Sequence, residues 1–150
     1  MGVGFMYIST KGRYGLRAVF DLARHEQGMP LALTAIAAKQ NLSEGYLEQL
    51  MIPLKKNGLV KSVRGVHGGY LLVRPAEQIN VGEVLRALEG PMSITQCCSG
   101  DDNNCHCPKH DDDCLSRPLW LVIQKQVDAI LDSYTINDLL MRDLTRGDER

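Results

Sequence analysis

The stretch Ser43-Glu-Gly-Tyr-Leu-Glu-Gln-Leu-Met-Ile-Pro-Leu-Lys-Lys-Asn-Gly-Leu-Val-Lys-Ser-Val-Arg-Gly-Val-His-Gly-Gly-Tyr-Leu-Leu-Val73 changes its hydrophobic period halfway along. Apolar residues recur at helical spacing over residues 44–57, behind a serine that suits a helix N-cap. The alternating residues 59–63, a glycine-rich turn and residues 70–73 then predict a two-stranded hairpin. Pro53 lies inside the predicted helix, where it predicts a kink or an early end.

Two helical segments precede this stretch. Residues 12–25 follow the capping pair Ser9-Thr10, and residues 33–39 form a short alanine-rich helix. Helix, short turn and helix followed by a hairpin is the pattern of a winged helix-turn-helix. In such a fold the third helix enters the major groove of DNA, and the hairpin, or wing, touches the backbone or the minor groove.

The second half of the chain predicts three more helices. Asn80-Val-Gly-Glu83 resembles a capping box for a helix that ends near Glu89. Pro118 suits the first turn of a long helix with Ser116 as its cap, and Thr135 caps a last short helix. The apolar stripe of the long helix is wider than one small core needs, which favours a dimer seam over packing within the chain. That stripe consists of Leu119, Val122, Ile123, Val127, Ile130, Leu131 and Tyr134.

The predicted fold is therefore mostly α with a small β-hairpin wing: a winged helix-turn-helix plus a long C-terminal dimerisation helix. The 150 residues fit one compact domain. Within it, residues 1–75 form the DNA-binding region, and residues 76–150 form a cysteine-rich loop and the dimerisation helices. No apolar run is long enough to span a membrane and no signal peptide is visible, so a cytoplasmic protein is expected.

Charge is distributed unevenly between the two halves. Residues 1–75 carry ten Lys and Arg against four Asp and Glu, a net charge of +6, whereas residues 76–150 carry a net charge of −7. A basic front half suits a polyanion such as DNA. A merely solvated basic face is the alternative.

The side chains expected to contact DNA lie on the third helix and the wing. Glu48 and Gln49 are placed to read base edges, because Glu accepts hydrogen bonds from cytosine and Gln bonds adenine. Phosphate contacts position the protein without reading sequence. For the two lysines at the helix end, a solvated terminus is the alternative. The predicted phosphate and wing contacts are Tyr46, Lys55, Lys56, Arg64 and His67.

All five cysteines lie in the segment Cys97-Cys-Ser-Gly-Asp-Asp-Asn-Asn-Cys-His-Cys-Pro-Lys-His-Asp-Asp-Asp-Cys114. Several soft thiolates on one loop can wrap an iron–sulfur cluster. The aspartates of this segment disfavour a bare thiolate, and bound iron would offset their charge. Zinc and a metal-free dithiol switch are the alternatives. A thiol enzyme using Cys105-His-Cys107 is a competing class, but no Cys-x-x-Cys follows a strand, so no enzyme is expected.

Six blocks of the sequence together point to a known family. They are Met6-Tyr-Ile-Ser-Thr-Lys-Gly-Arg-Tyr-Gly15, Leu42-Ser-Glu-Gly-Tyr-Leu-Glu-Gln-Leu50, Lys56-Asn-Gly-Leu-Val-Lys-Ser-Val-Arg-Gly65, Gly68-Gly-Tyr-Leu-Leu72, Val81-Gly-Glu-Val-Leu-Arg-Ala-Leu-Glu-Gly-Pro91 and Cys114-Leu-Ser-Arg-Pro-Leu-Trp120. In this order they resemble the IscR/NsrR/CymR family of bacterial winged-helix repressors.

The resemblance implies a homodimer that binds near-palindromic operator DNA. It also implies that the cysteine loop senses iron–sulfur status, nitric oxide, iron or redox state. The loop resembles the cluster-binding branch, in which three cysteines help to hold a 2Fe–2S or 4Fe–4S centre, with 2Fe–2S favoured here. The DNA-binding half resembles the CymR-like branch, whose members answer to a partner enzyme of cysteine synthesis.

The same resemblance implies a set of ligands. Cys97 falls at the position of the family's first ligand and Cys114 at that of its third. Arg117 stands where the family has a histidine ligand, and arginine cannot deprotonate to bind iron. Cys105 and Cys107 are then expected as the second and fourth ligands. Other candidates for the fourth position are Cys98, His106, His110 and an aspartate.

The sequence thus predicts a DNA-binding transcriptional regulator, expected to be a repressor, that is modulated by an iron–sulfur cluster. Its expected targets are iron–sulfur biogenesis genes or related iron, redox or cysteine genes. A thiol-redox or zinc-containing CymR-like regulator without a cluster is the alternative, and a zinc-stabilised module that recruits protein partners is a third class.

Overall fold

The computed structural model describes residues 8–25, 27–95 and 114–142. The cysteines at 97, 98, 105 and 107 lie outside the described residues. Within the described ranges, no helix has the length and apolar character needed to cross a membrane.

Three helices form the helix-turn-helix region: α1 (Thr10–Arg24), α2 (Leu33–Gln40) and α3 (Glu44–Lys56). Ser9 caps α1 as predicted, and Ser43 caps α3 by accepting a hydrogen bond from the Tyr46 N–H at 3.2 Å. The carboxylate of Asp21 ties α2 to α1, because it accepts a hydrogen bond from Gln40 at 2.7 Å and pairs with the Lys39 ammonium. This buried carboxylate holds α2 against α1.

The predicted break at Pro53 is wrong as an early end, because α3 continues to Lys56. Proline removes one backbone N–H, so only the bond to the Gln49 carbonyl is lost. The neighbouring Leu50, Met51 and Leu54 are fully buried. Burying each of these side chains contributes about 1.5–3 kcal/mol, which offsets the lost bond and the strain.

The wing consists of β1 (Val60–Val63) and β2 (Gly69–Leu72), paired antiparallel with Val60 opposite Leu72. Leu31 adds a short bridge to the outer edge of β2, where its N–H and C=O each bond Tyr70 at 2.9 Å. This bridge connects the loop between α1 and α2 to the wing. The predicted hairpin is confirmed.

A 3-10 turn (Ala76–Gln78) leads into α4 (Val81–Glu89), and α5 (Arg117–Ser133) and α6 (Ile136–Leu140) follow. The predicted capping box of α4 is confirmed: Asn80 Oδ1 accepts from the Glu83 N–H at 2.8 Å, and Glu83 Oε2 accepts from the Asn80 N–H at 3.0 Å. Thr135 caps α6 in the same reciprocal way with Asp138. Ser116 occupies the predicted N-cap position of α5, but its side chain bonds no helix N–H and its hydroxyl instead lies 3.4 Å from Cys114 Sγ.

The core lies where α1, α3 and α4 meet. Gly15 on α1 has no room for a Cβ, which would lie 2.3 Å from a methyl group of Leu88, so glycine lets α4 pack directly on α1. Glu89, the last residue of α4, accepts hydrogen bonds from the Ser9 hydroxyl at 2.6 Å and the Gly12 N–H at 3.1 Å. The end of α4 is thereby held against the start of α1. The fully buried larger side chains of the core are Val19, Ile36, Leu47, Leu50, Met51, Leu54, Leu59, Val60, Ile79, Val84, Leu88 and Ile136.

Candidate functional site

Helix α3 divides cleanly into a buried and an exposed face. The buried face carries Leu47, Leu50, Met51 and Leu54. The burial of these four residues forces the remaining positions outward, since they follow helical spacing. The exposed positions include Glu48, Gln49, Ile52, Lys55 and Lys56. The predicted base readers and phosphate contacts therefore share one open surface.

Tyr46 is half-buried and joins α3 to α1. Its ring meets that of Tyr14 edge-on, with centroids 6.5 Å apart and an interplanar angle of 85°. The guanidinium of Arg17 lies 5.4 Å from the centroid of Tyr14. Such contacts orient the rings and hold a cation close to α3. Arg17 was not predicted to belong to the site, and its helical spacing from Tyr14 was the available signal.

The wing tip is open to solvent. Arg64 and His67 are exposed there, and Val66 between them is 98% exposed. Lys61 on β1 is also exposed and was missed by the sequence reasoning. Its position next to buried Val60 was the signal that could have identified it, because successive side chains of a strand point to opposite faces.

One hydrogen bond and one electrostatic interaction link α3 with the wing. The Lys55 ammonium donates a hydrogen bond of 2.7 Å to the Ser62 hydroxyl on β1. Burial raises the pKa of Tyr70 on β2, and the carboxylate of Glu48 raises it further. Two charged side chains of α3 therefore interact with the hairpin.

Helix α5 presents a broad apolar surface to solvent. None of its residues is fully buried, and Val122 and Ile130 are 58% and 54% exposed. Leu119, Leu121 and Ile123 are exposed as well. Part of the predicted stripe, Leu131 and Tyr134, instead packs against the chain's own core. The exposed part forms a contiguous apolar face of a kind that marks interaction sites.

Cys114 is the one cysteine among the described residues, and it precedes α5. A hydrogen bond from the Ser116 hydroxyl lowers its pKa, and the backbone N–H groups of Arg117 and Ser116 lower it further. These donors favour the thiolate, the form that binds metal. Arg117 follows within the same turn and contributes positive charge rather than a ligand atom. No group of three or more metal-binding side chains occurs among the described residues, and the other four cysteines lie outside them.

A groove of about 620 Å³ opens on another side of the DNA-binding region. It lies between the end of α1, β2 and α6, and exposed Met29, Val73 and Met141 contribute to its lining. None of the seven predicted DNA contacts lines it. The groove therefore adds nothing to the surface formed by α3 and the wing.

Comparison with known proteins gives a consistent result. The family model Rrf2, described as an iron-dependent transcriptional regulator, matches residues 8–142. The transcriptional regulator CymR of Bacillus subtilis is 43% identical over 134 residues, covering 89% of each chain. Its solved structure, described as the global cysteine regulator, superposes with a TM-score of 0.73 at 41% identity, covering 91% of this chain and 97% of that one. The structure of T. potens IscR gives a TM-score of 0.70 at 40% identity, covering 96% and 92%.

Proposed function

The chain belongs to the Rrf2 family of transcriptional regulators, and we propose that it is a dimeric repressor whose operator affinity is set by an iron–sulfur cluster on residues 97–114. The DNA-binding role follows from the family and is not enzymatic. The observation that carries the sensing half is the position of Cys114, whose Sγ lies 3.4 Å from the Ser116 hydroxyl at the start of the helix that bears the exposed apolar face.

The surface of α3 and the wing is the proposed DNA contact. Gln49 and Glu48 read base edges in the major groove, because both are exposed on the outward face of α3. Lys56 and Arg64 bind phosphates on either side, together with Tyr46 and Lys55. His67 and Arg64 at the wing tip contact the DNA backbone or the minor groove. Residues 1–75 act as the DNA-binding region and residues 76–150 as the sensing and dimerisation region.

The exposed face of α5 is the proposed homodimer seam. Its apolar side chains would be costly to leave in water, and a second copy of the same helix offers a self-complementary surface. A two-fold dimer places two copies of α3 on successive half-sites, about one helical turn or a small multiple apart. Near-palindromic operators follow from that symmetry.

Four cysteines are the proposed cluster ligands: Cys97, Cys105, Cys107 and Cys114. The donor bonds at Cys114 fit such a role, because they stabilise the thiolate that iron requires. When bound, a 2Fe–2S centre (or, alternatively, a 4Fe–4S centre) supplies a redox- and iron-responsive crosslink between these residues. Arg117 then sits beside the ligands as a cation. Such a regulator works in the cytoplasm and controls iron–sulfur biogenesis or related iron, redox or cysteine genes.

A second candidate function is favoured by the 43% identity to CymR. In that case the chain is a cysteine-responsive regulator without a cluster, and its cysteines form a thiol switch or bind zinc. An enzyme of cysteine synthesis is then the expected protein partner. The same DNA surface serves both functions, so the two differ only in what residues 97–114 hold.

Metal analysis of protein purified without oxygen tests the proposal. We expect iron and acid-labile sulfide in the wild type, with absorbance in the visible range that Cys114→Ala abolishes. Cys98→Ala is the matched control, since it removes a neighbouring thiol outside the proposed ligand set. Zinc without iron, or no metal, would favour the CymR-like function, and a full cluster spectrum in Cys114→Ala would refute the ligand assignment.

A further inference from the structure

The side-chain amide of Gln124 on α5 hydrogen-bonds to the backbone just before the cysteine segment. Its oxygen accepts a hydrogen bond from the Ile94 N–H at 2.9 Å, and its nitrogen donates to the Met92 carbonyl at 2.8 Å. One amide thus satisfies two backbone groups that lie two residues apart, as a neighbouring strand would. The position of residues 92–94 relative to α5 is fixed by this pair of bonds.

The same amide belongs to a polar chain that crosses from α5 to α4. Gln124 also donates to the carboxylate of Asp128 at 3.1 Å. The other oxygen of Asp128 lies 3.9 Å from the Arg86 guanidinium on α4, which pairs with Asp132 at 2.7 Å. Gly82 leaves room for this pair, because a Cβ there would lie 2.2 Å from the Asp132 carboxylate.

Helix α4 connects these bonds to the helices of the DNA-binding region. Its residues Leu88 and Glu89 pack against or bond α1, at Gly15 and Ser9 respectively. Helix α1 contacts α3, the helix proposed to enter the major groove, through the edge-on pair of Tyr14 and Tyr46. A displacement of residues 92–94 would therefore be transmitted to α3 through packed and hydrogen-bonded helices rather than through a flexible loop.

We propose that Gln124 is the positioning residue that couples the state of residues 97–114 to the placement of α4 and α5, and through them to DNA affinity. This rests on the proposed function, since it assumes that the cysteine segment has two states with different operator affinities. Gln124 is neither one of the residues proposed to contact DNA nor one of the proposed ligands. Through its hydrogen bonds, residues 92–94, which precede the cysteine segment, move together with the interface between α4 and α5.

Only an amide meets the chemistry of this position. A carboxylate at residue 124 could still accept from the Ile94 N–H, but it would oppose the Met92 carbonyl and the Asp128 carboxylate without a proton to share. A methionine of similar length would keep the helix and make none of the three bonds. Gln124→Met and Gln124→Glu therefore remove the coupling by different routes, so a folding defect in one variant leaves the other as a test.

The test compares operator affinity in two states of the same protein. The probe is a duplex selected from a randomised pool, titrated against protein loaded anaerobically with iron and sulfide and against protein stripped of metal. The coupling is the ratio of the two Kd values. Lys125→Met is the matched control, because Lys125 is an exposed neighbour on the same helix with no side-chain bond among the described residues.

We expect Gln124→Met and Gln124→Glu to move the ratio about fivefold towards one while metal content and the stripped-state Kd stay at wild-type values. Lys125→Met should keep the wild-type ratio. A wild-type ratio in both Gln124 variants would overturn the coupling role alone. Loss of metal in both variants would also overturn it, since Gln124 would then stabilise the bound segment. A ratio of one in the wild type would refute the proposed sensing function, and the coupling role with it.

Discussion

The ammonium of Lys55 donates a 2.7 Å hydrogen bond to the hydroxyl of Ser62, so the last turn of the recognition helix is bonded to the first strand of the wing. Lys55 therefore has two possible partners, Ser62 and a DNA phosphate. Lys56, the next residue, is exposed and has no side-chain bond among the described residues. The two lysines offer a direct comparison of a wing contact with a simple phosphate contact.

Lys56→Ala should weaken binding to cognate and scrambled duplexes equally, because phosphate contacts carry no sequence information. The slope of log Kd against log salt should fall by about 0.9 for one lost phosphate contact. Fluorescence anisotropy titrations over a range of salt concentrations measure this slope. Lys125→Ala on α5 is the control and should leave both slope and affinity unchanged. A loss confined to the cognate duplex would contradict the assignment.

Lys55→Ala should lower affinity for all sequences and reduce the salt slope as well, and it should in addition free the wing. Ser62→Ala removes the same wing bond but keeps the cation. If Ser62 only positions the wing, Ser62→Ala should keep the wild-type salt slope while lowering affinity. Identical salt slopes in Lys55→Ala and the wild type would show that Lys55 meets no phosphate.

Gln49→Ala should relax base preference, since an amide that bonds adenine contributes about 1–3 kcal/mol of discrimination. The expected result is a cognate-to-scrambled affinity ratio that falls about tenfold or more, with little change on scrambled DNA. Competition binding measures this ratio directly. Gln78→Ala, in the 3-10 turn before α4, serves as the control for loss of an exposed glutamine. Equal losses of affinity for both duplexes would show that Gln49 contacts a phosphate rather than a base.

Val122→Asp and Ile130→Asp should dissociate the dimer without unfolding the subunit. Both side chains are more than half exposed, so a carboxylate costs little in the monomer but would be buried and unpaired in a seam. Sedimentation velocity should show a monomer for both variants and a dimer for Lys125→Asp, the control on the same helix. Dimers in both apolar-to-acid variants would place the seam elsewhere.

Glu83 gives a prediction for pH dependence. Burial on its own would raise the pKa of its carboxyl, but the hydrogen bonds from Arg74 and the Asn80 N–H, with the charges of Arg74 and Arg86, lower it overall. A carboxyl whose pKa is lower in the folded state stabilises the fold at neutral pH, and this stabilisation is lost as pH falls through the pKa values of the unfolded and then the folded chain.

Glu83→Ala should therefore cost about 1 kcal/mol of unfolding free energy at pH 7, because it also removes half of the capping box. The difference from wild type should shrink as pH falls into the acidic range where glutamate carboxyls protonate. Chemical denaturation at several pH values measures it. Glu77→Ala, at an exposed position of the preceding 3-10 turn, should show a small difference. A cost that stays constant down to strongly acidic pH would contradict the ionic contribution.

The sequence predicted those features that depend on neighbouring residues. The capping boxes at Asn80 and Thr135 and the hairpin between Val60 and Leu72 involve local signals, because the partners lie within a few residues or share one turn. The early end predicted at Pro53 failed for a tertiary reason, since the burial of Leu50 and Leu54 holds the helix together.

The remaining contacts of the site depend on residues far apart in the chain. Glu89 bonds Ser9 across 80 residues, and Gln124 bonds Ile94 across 30 residues. No periodicity or capping rule relates such positions, because they become neighbours only after the helices pack. The exposed face of α3 and the cysteines could be predicted from the sequence. The contacts that connect α5 to α3 through α4 and α1 could be identified only in the packed structure.

The proposed sensing function requires operator affinity to depend on what the cysteine segment holds. Its most direct test is the Kd for a selected operator duplex, measured by anisotropy without oxygen on wild-type protein before and after removal of its metal. We expect bound iron and sulfide in the first sample and a change of at least about fivefold in Kd between the two. The same Kd in both samples, with iron demonstrably removed, would contradict it.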